Sequence, residues 1–318
     1  LSESGQVVYT RADIERGRQV WQSIGGQQLG SIWGHGGYVA PDWGADWLHR
    51  EAEAILDLWA AREHGVDSYK ALDAPTQAAY ATRVQALIRP NTWDAATGTI
   101  TIDADRAAAM EKVAAHYVDL FGNDPATAEL REAYAMRNNT VPDAEHRRLM
   151  TGFFWWAAWS SITERPGQTI TYTANWPHDE LVGNTPPSNL LIWSVFSVLF
   201  LIAGIGLLGW HYAVNHGDEM VPVLPKRDPL ADIKVTPSMR ATAKYFWVVM
   251  ALFLVQILLG AITAHYQVEG QEAYGFALAD VLPYSLTRTW HTQLAVLWIA
   301  TAWLGMGLYI GPAISGHE

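Results

Sequence analysis

The chain has 318 residues, and its 32 acidic against 21 basic side chains leave a formal net charge of −11, which argues against nucleic acid as a partner. It has no cysteine, so disulfides, thiolate metal sites and covalent Cys-x-x-Cys-His haem attachment are excluded. A mean hydropathy of +0.01 looks like that of a soluble protein, but it averages a mixed, acidic sequence up to Pro187 with three apolar runs after it.

Thr10-Arg-Ala-Asp13 reads as an N-cap with an acid in the first turn, predicting a helix with Ile14, Val20 and Trp21 turned inward. A glycine-rich loop, Gly25 to Asp42, follows; its large aromatics Trp33 and Tyr38, with Trp43 next, are costly to leave in water, so the loop is expected to wrap something. Trp47, Leu48, Ala52, Ile55, Leu56 and Trp59 recur at helical spacing. Further helices are expected at about 75–88, 104–121 and 126–137 and from Pro142 onward, with a turn and short strand at Asp94–Ile102. Thr169–Thr173 reads as a second short strand, and Asn175–Asn184 as a loop that leads to the membrane or seats the domain on it through Trp176. Ten of the 16 tryptophans precede Pro187.

Leu190–Gly209, Tyr245–Ala264 and Thr292–Gly311 are each 20 residues long without a charged side chain. At about 1.5 Å per residue each crosses a hydrocarbon core of about 30 Å. We therefore expect residues 1–187 to form one domain and 188–318 a transmembrane region, with spans at about 190–212, 244–265 and 289–312. Lys226, Arg227, Lys234, Arg240 and Lys244 lie between the first two spans, and only Arg288 between the next two. The positive-inside rule then puts residues 1–187 outside the cytoplasm. Leu1 is not a methionine and Glu318 follows closely on a membrane exit, so sequence is expected at both ends beyond this chain.

Chemistry-bearing residues gather at the outer ends of the second and third spans. His291 opens the third run; it is either a haem-iron ligand or an interfacial histidine bonded to a backbone carbonyl. His211, at the inner end of the first span, lies at the wrong depth to face it. His265 and Glu269, four residues apart, share a face if the helix continues through them. They form either a surface pair or an acceptor pair for the two hydroxyl protons of a quinol.

Thr263-Ala-His-Tyr-x-Val-Glu269 followed by Leu282-Pro-Tyr-Ser-x-x-Arg-Thr-Trp-His-Thr-Gln-Leu294 resembles quinol-dependent nitric oxide reductase. Phe153-Phe-Trp-Trp, Arg165-Pro-Gly, Ile170-Thr-Tyr-Thr and Asn175-Trp-Pro carry the same resemblance, which runs along essentially the whole chain. It implies a mainly α membrane protein: an extracytoplasmic cytochrome c-like domain without haem, then three transmembrane helices of a haem–copper-oxidase-like core. The related cytochrome c-dependent reductases place Cys-x-x-Cys-His shortly before Gly-x-Tyr-x-x-Pro. In register with Gly36-Gly-Tyr-Val-Ala-Pro41, the cysteines fall on Gly26 and Leu29 and the haem histidine on Gly30. No c-type haem is therefore expected, and tryptophans are expected to fill its place.

Carried over residue by residue, the resemblance makes His291 an axial ligand of low-spin haem b, and His265 and Glu269 the quinol-site residues. Ala273 departs from the pattern, which often has an aromatic there; Tyr274 is next to it. Gly36, through its backbone, and Tyr38 match calcium ligands. The family's haem b3 and non-haem iron take ligands that no residue of this chain matches, so the chain is expected to need the remaining core helices to turn two NO into N2O and water. The implied partners are quinol, NO and membrane lipid, and the implied location is a bacterial inner membrane with residues 1–187 on the periplasmic side. Two other readings share these features: a nitric oxide dismutase of the same fold, and a non-catalytic membrane subunit that docks its domain onto a partner.

Overall fold

The computed structural model describes residues 1–215, 226, 233–268, 275–276, 278–315 and 317. The chain divides into two compact units, one of Leu1–Pro186 with Leu258–Trp290 and one of Pro187–Ile257 with His291–Glu318.

The first unit is a helical bundle whose helix starts are written in the sequence. Helix α1 (Arg11–Ser23) opens on a reciprocal capping box, Thr10 accepting from the Asp13 amide and Asp13 from the Thr10 amide. After a short α2 (Gly26–Leu29) and a two-stranded hairpin, β1 (Ser31–Ile32) and β2 (His35–Gly36), aspartates cap the next helices. Asp42 starts α3 (Trp43–His64), which Gly65 ends at φ 67°. Asp73 starts α4 (Ala74–Ile88), and Asp103 starts α5 (Ala104–Leu120) after the hairpin β3 (Trp93–Asp94) and β4 (Thr99–Ile100).

Two sequence expectations fail here for local reasons. The helix expected over 126–137 is only α6 (Ala128–Ala133), because Ala135 turns left-handed at φ 49°. Thr169–Thr173 forms no strand and makes only a single bridge, Thr171 to Glu164. Asn175 Oδ1 accepts from the Thr171 amide at 2.9 Å and Thr171 Oγ1 from the Asn175 amide at 2.8 Å, so side chains take the bonds a strand would need.

Helix α7 (Ala144–Ile162), capped by Asp143, closes the bundle. It packs on α1 at Gly17, where a Cβ would collide with the Leu149 carbonyl. The centre is aromatic. The Trp43 ring stacks on Phe154 at 5.6 Å and meets Phe121 at 5.3 Å, and Trp47 stacks on Tyr117 at 5.5 Å. These five side chains are essentially out of solvent. One ion pair shares that interior: Arg106 Nε donates to Glu51 Oε1 at 2.6 Å, while Trp47 Nε1 donates to the other carboxylate oxygen at 2.8 Å. Burying the pair is tolerable because each charge has its counter-charge and Glu51 has both oxygens engaged.

The membrane helices are α8 (Ser188–Asn215), α10 (Ala243–Val268), which follows a short α9 (Pro237–Ala241), and α11 (Tyr284–Ser315). All three spans, Ser188–Asn215, Pro237–Tyr266 and Tyr284–Ser315, are long and apolar enough to cross a bilayer. Each overruns its charge-free run, since a helix does not stop where hydropathy does. Within the second unit α10 and α11 pack antiparallel: Gly305 lies against Tyr245 and Phe246, and Phe253 meets the edge of Trp298 at 5.3 Å.

Candidate functional site

His291 does not open its helix. Pro283 lacks an N–H to continue a helix backward, and its carbonyl accepts from Leu286 and Thr287 at 2.9 and 3.1 Å, so α11 starts at Tyr284. His291 therefore sits about 10 Å inside the helix, two turns from its start. Its Nδ1 lies 2.9 Å from the backbone carbonyl of Gln256 on α10. A carbonyl can only accept, so Nδ1 donates this bond, and the tautomer that satisfies it with one proton has its lone pair on Nε2. The bond meets the structural expectation of a histidine tied to a carbonyl. It is also how ligating imidazoles are oriented, through the nitrogen that does not touch the metal.

Gln256 is a residue that the motifs do not single out. Besides its carbonyl it offers Oε1 to Trp298 Nε1 at 3.1 Å, joining α10 to α11 a second time. A signal for it exists in the sequence: Gln256 is a lone amide in the middle of the Tyr245–Ala264 run, where a polar side chain is expensive unless it binds another helix.

In the first unit α10 continues through His265 to Val268, which carries the helix to the residue before Glu269; Glu269 itself, with Ala273 and Tyr274, lies outside the described residues. His265 is exposed. Its neighbour Tyr266 is 1% exposed, donates to the Leu282 carbonyl at 2.8 Å and packs 6.3 Å from the Tyr284 ring. This buried phenol ties the end of α10 to the start of α11 and fixes the turn that carries His265. Arg288, one turn before His291, gives Nη1 to Gln28 Oε1 at 2.6 Å, so the last charge before the third apolar run is bound to the glycine loop.

That loop is held by Asp42. Its Oδ2 accepts from Ser31 Oγ and the Gly34 amide, both at 2.8 Å, and its Oδ1 from the Gly44 and Ala45 amides, both at 3.0 Å. One carboxylate thus closes the β1–β2 turn and caps α3. Gly36, at φ 148°, has no room for a side chain, since a Cβ would meet the Gly30 and Gln27 carbonyls. Tyr38 is 74% exposed, with its hydroxyl 3.4 Å from the Gly34 carbonyl. Among the described residues no three His, Cys, Asp or Glu side chains cluster as a metal site.

The positions in register with a haem-attachment motif are closed. A Cβ on Gly26 would run into the Trp21 indole, and one on Gly30 would lie 2.6 Å from Trp43 Nε1. A c-type haem does not fit these residues, which lack both thiols and the space for them.

Outside the spans, one titrating contact joins α3 to the 179–184 turn. His49 Nδ1 lies 3.0 Å from Asp179 Oδ2. The hydrogen bond to Asp179 raises the His49 pKa against burial, and although burial pushes the Asp179 carboxyl up, the His49 bond and charge hold it below the usual range.

Comparison with known families gives two matches. A family model described as the NorB cytochrome c-like domain of nitric oxide reductase matches residues 1–178. A second, described as cytochrome c and quinol oxidase polypeptide I, matches residues 240–318. Comparison with individually curated proteins gives no match.

Proposed function

The chain belongs to the NorB family of nitric oxide reductase proteins, and from that premise we propose that it forms the quinol-oxidising, haem-holding part of a nitric oxide reductase. It is a mainly helical membrane protein, and the oxidoreductase kind follows from both family matches. The finer reading is ours: the complete enzyme, with the remaining core helices, uses two electrons and two protons to turn two NO into N2O and water. It sits in a bacterial inner membrane with residues 1–187 on the periplasmic side, consistent with the basic residues between the first two spans.

The observation that carries the reading is the 2.9 Å bond from His291 Nδ1 to the Gln256 carbonyl. It leaves Nε2 as the one ring nitrogen with a lone pair, and in our reading that nitrogen holds the low-spin haem b. When bound, that haem supplies one-electron transfer. Gln256 fixes the tautomer and the ring plane, and the Trp298 indole holds Gln256 in turn. His265 and Glu269 would take the hydroxyl protons of a quinol, the imidazole as a base and the carboxylate as its partner one turn on. Tyr266 positions that turn through its bond to Leu282. Gly36 and Tyr38 remain proposed calcium ligands; in that role the Gly36 backbone and the Tyr38 hydroxyl would supply oxygen donors, the kind calcium takes. The family's haem b3 and non-haem iron are assigned to no residue here.

The reading is tested by steady-state NO consumption with a quinol as donor. His265→Ala should raise the quinol KM or cut quinol-driven turnover by about 10²-fold or more, the usual contribution of an acid–base group, while turnover with an artificial electron donor stays. Unchanged quinol kinetics would remove His265 from the site.

A further inference from the structure

The two spans that the His291 bond joins share a row of contacts around Gln256. Trp298 comes seven residues after His291, so it stands on the same face of α11, about 10 Å further along. On α10 Phe253 comes three residues before Gln256, again on one face. Antiparallel packing brings the two faces into register. His291 Nδ1 donates to the Gln256 carbonyl at 2.9 Å, Trp298 Nε1 donates to Gln256 Oε1 at 3.1 Å, and the Trp298 and Phe253 rings meet edge to face at 5.3 Å.

The acceptor that His291 uses is already engaged. Gln256 lies inside α10, where a backbone carbonyl accepts from the amide four residues on. His291 takes the second lone pair, and a bond of that kind weakens steeply when its distance or angle changes. Its strength therefore depends on how α10 is held against α11. Thr263, Thr289 and Thr301 add nothing to that hold, because each donates to the carbonyl four residues back in its own helix. The Gln256 amide and the Trp298 indole do cross between the helices. Inside a span a polar group has little water to turn to, so breaking this bond leaves both groups short of a partner.

We propose that Trp298 is a positioning residue for His291, acting through Gln256, and that this pair sets the reduction potential of the haem at His291. The inference rests on His291 as a haem ligand. An imidazole that donates to a carbonyl is a more basic ligand and favours the oxidised iron. Loosening the Gln256–Trp298 bond lets the carbonyl drift from Nδ1, leaves the imidazole less basic and raises the potential.

Potentiometric titration of the low-spin b-type signal, in the protein as its host makes it, tests this. Trp298→Phe keeps a ring against Phe253 and loses the N–H, while Gln256→Leu keeps the backbone carbonyl and loses Oε1. Each should retain the low-spin signal and shift its reduction equilibrium about tenfold, which raises the midpoint by about 59 mV for one electron. The double variant should shift it no further than either alone, because both changes break one bond. Trp303→Phe, on the same helix but 76% exposed, should leave the potential where it is. Wild-type potentials in both single variants, a double variant that shifts by their sum, or an equal shift in Trp303→Phe would overturn the proposal and leave His291 a ligand. An unchanged signal in His291→Ala would instead remove the reading on which it rests.

Discussion

Glycine and tryptophan mean different things in the two halves of this chain. In the first 186 residues Gly17, Gly26, Gly30 and Gly36 have backbone or indole where a Cβ would go, and Trp43 and Trp47 are fully buried. In the membrane helices Gly204, Gly206, Gly209 and Gly307 have nothing within 4 Å, and Trp247 and Trp303 are 75% and 76% exposed. The amino acids are the same, but one half buries its apolar surface against itself, and the other leaves it outward for lipid and further core helices, both as apolar as a core, to cover. Exposure in a membrane helix is therefore no sign of poor packing.

Restoring the attachment motif attacks this contrast most severely. The triple substitution Gly26→Cys, Leu29→Cys, Gly30→His should take away a large part of the aromatic bundle's stability and still bind no haem covalently. Each glycine replacement overpacks an indole at about 1–3 kcal/mol, and a domain has only about 5–15 kcal/mol in all. Gly209→Ala, with open space around it, should change stability by less than about 1 kcal/mol. Equal melting temperatures for the two variants would erase the distinction.

The buried ion pair sharpens it next. Glu51→Leu leaves Arg106 charged and unpaired beside Trp47 and should cost about 3–5 kcal/mol in denaturant unfolding, whereas Glu51→Leu with Arg106→Met should recover most of the loss. No recovery in the double variant would mean that the site needs the charges themselves.

The smallest effect is at the half-exposed His49–Asp179 contact. His49 has a raised folded pKa, so its contribution is complete below the unfolded value of about 6.5 and fades as pH rises through the folded one. Asp179 has a lowered pKa, so its contribution is present above about 3.9 and fades as pH falls through the folded value. Amide exchange in the 179–184 turn should be slowest between these limits and speed up above neutral pH. A pH-independent protection pattern, after correction for intrinsic exchange, would contradict this.

How much can be read from the sequence depends on whether a feature is local. Thr10 with Asp13 marks its helix start by neighbouring residues alone, and so do Asp73 and Asp103. The three spans are equally legible, because length and lack of charge are properties of one stretch. Thr169–Thr173 has the pattern of a strand without forming one, because Asn175 competes for its bonds from outside the pattern. Gln256 stands outside the motifs and Tyr266 inside one, yet neither role is legible there, because each exists only once α10 lies against residues 16 to 42 positions away. Arg288 has the look of a span's end, but it is an interior helical residue whose partner, Gln28, is 260 positions back.

The account rests on His291 as a ligand, and the most direct test is the reduced-minus-oxidised optical spectrum of the protein purified from its own host, wild type beside His291→Ala. We predict a b-type signal without a c-type band in wild type, and loss of its low-spin component in the variant. A spectrum that His291→Ala leaves unchanged would contradict the account.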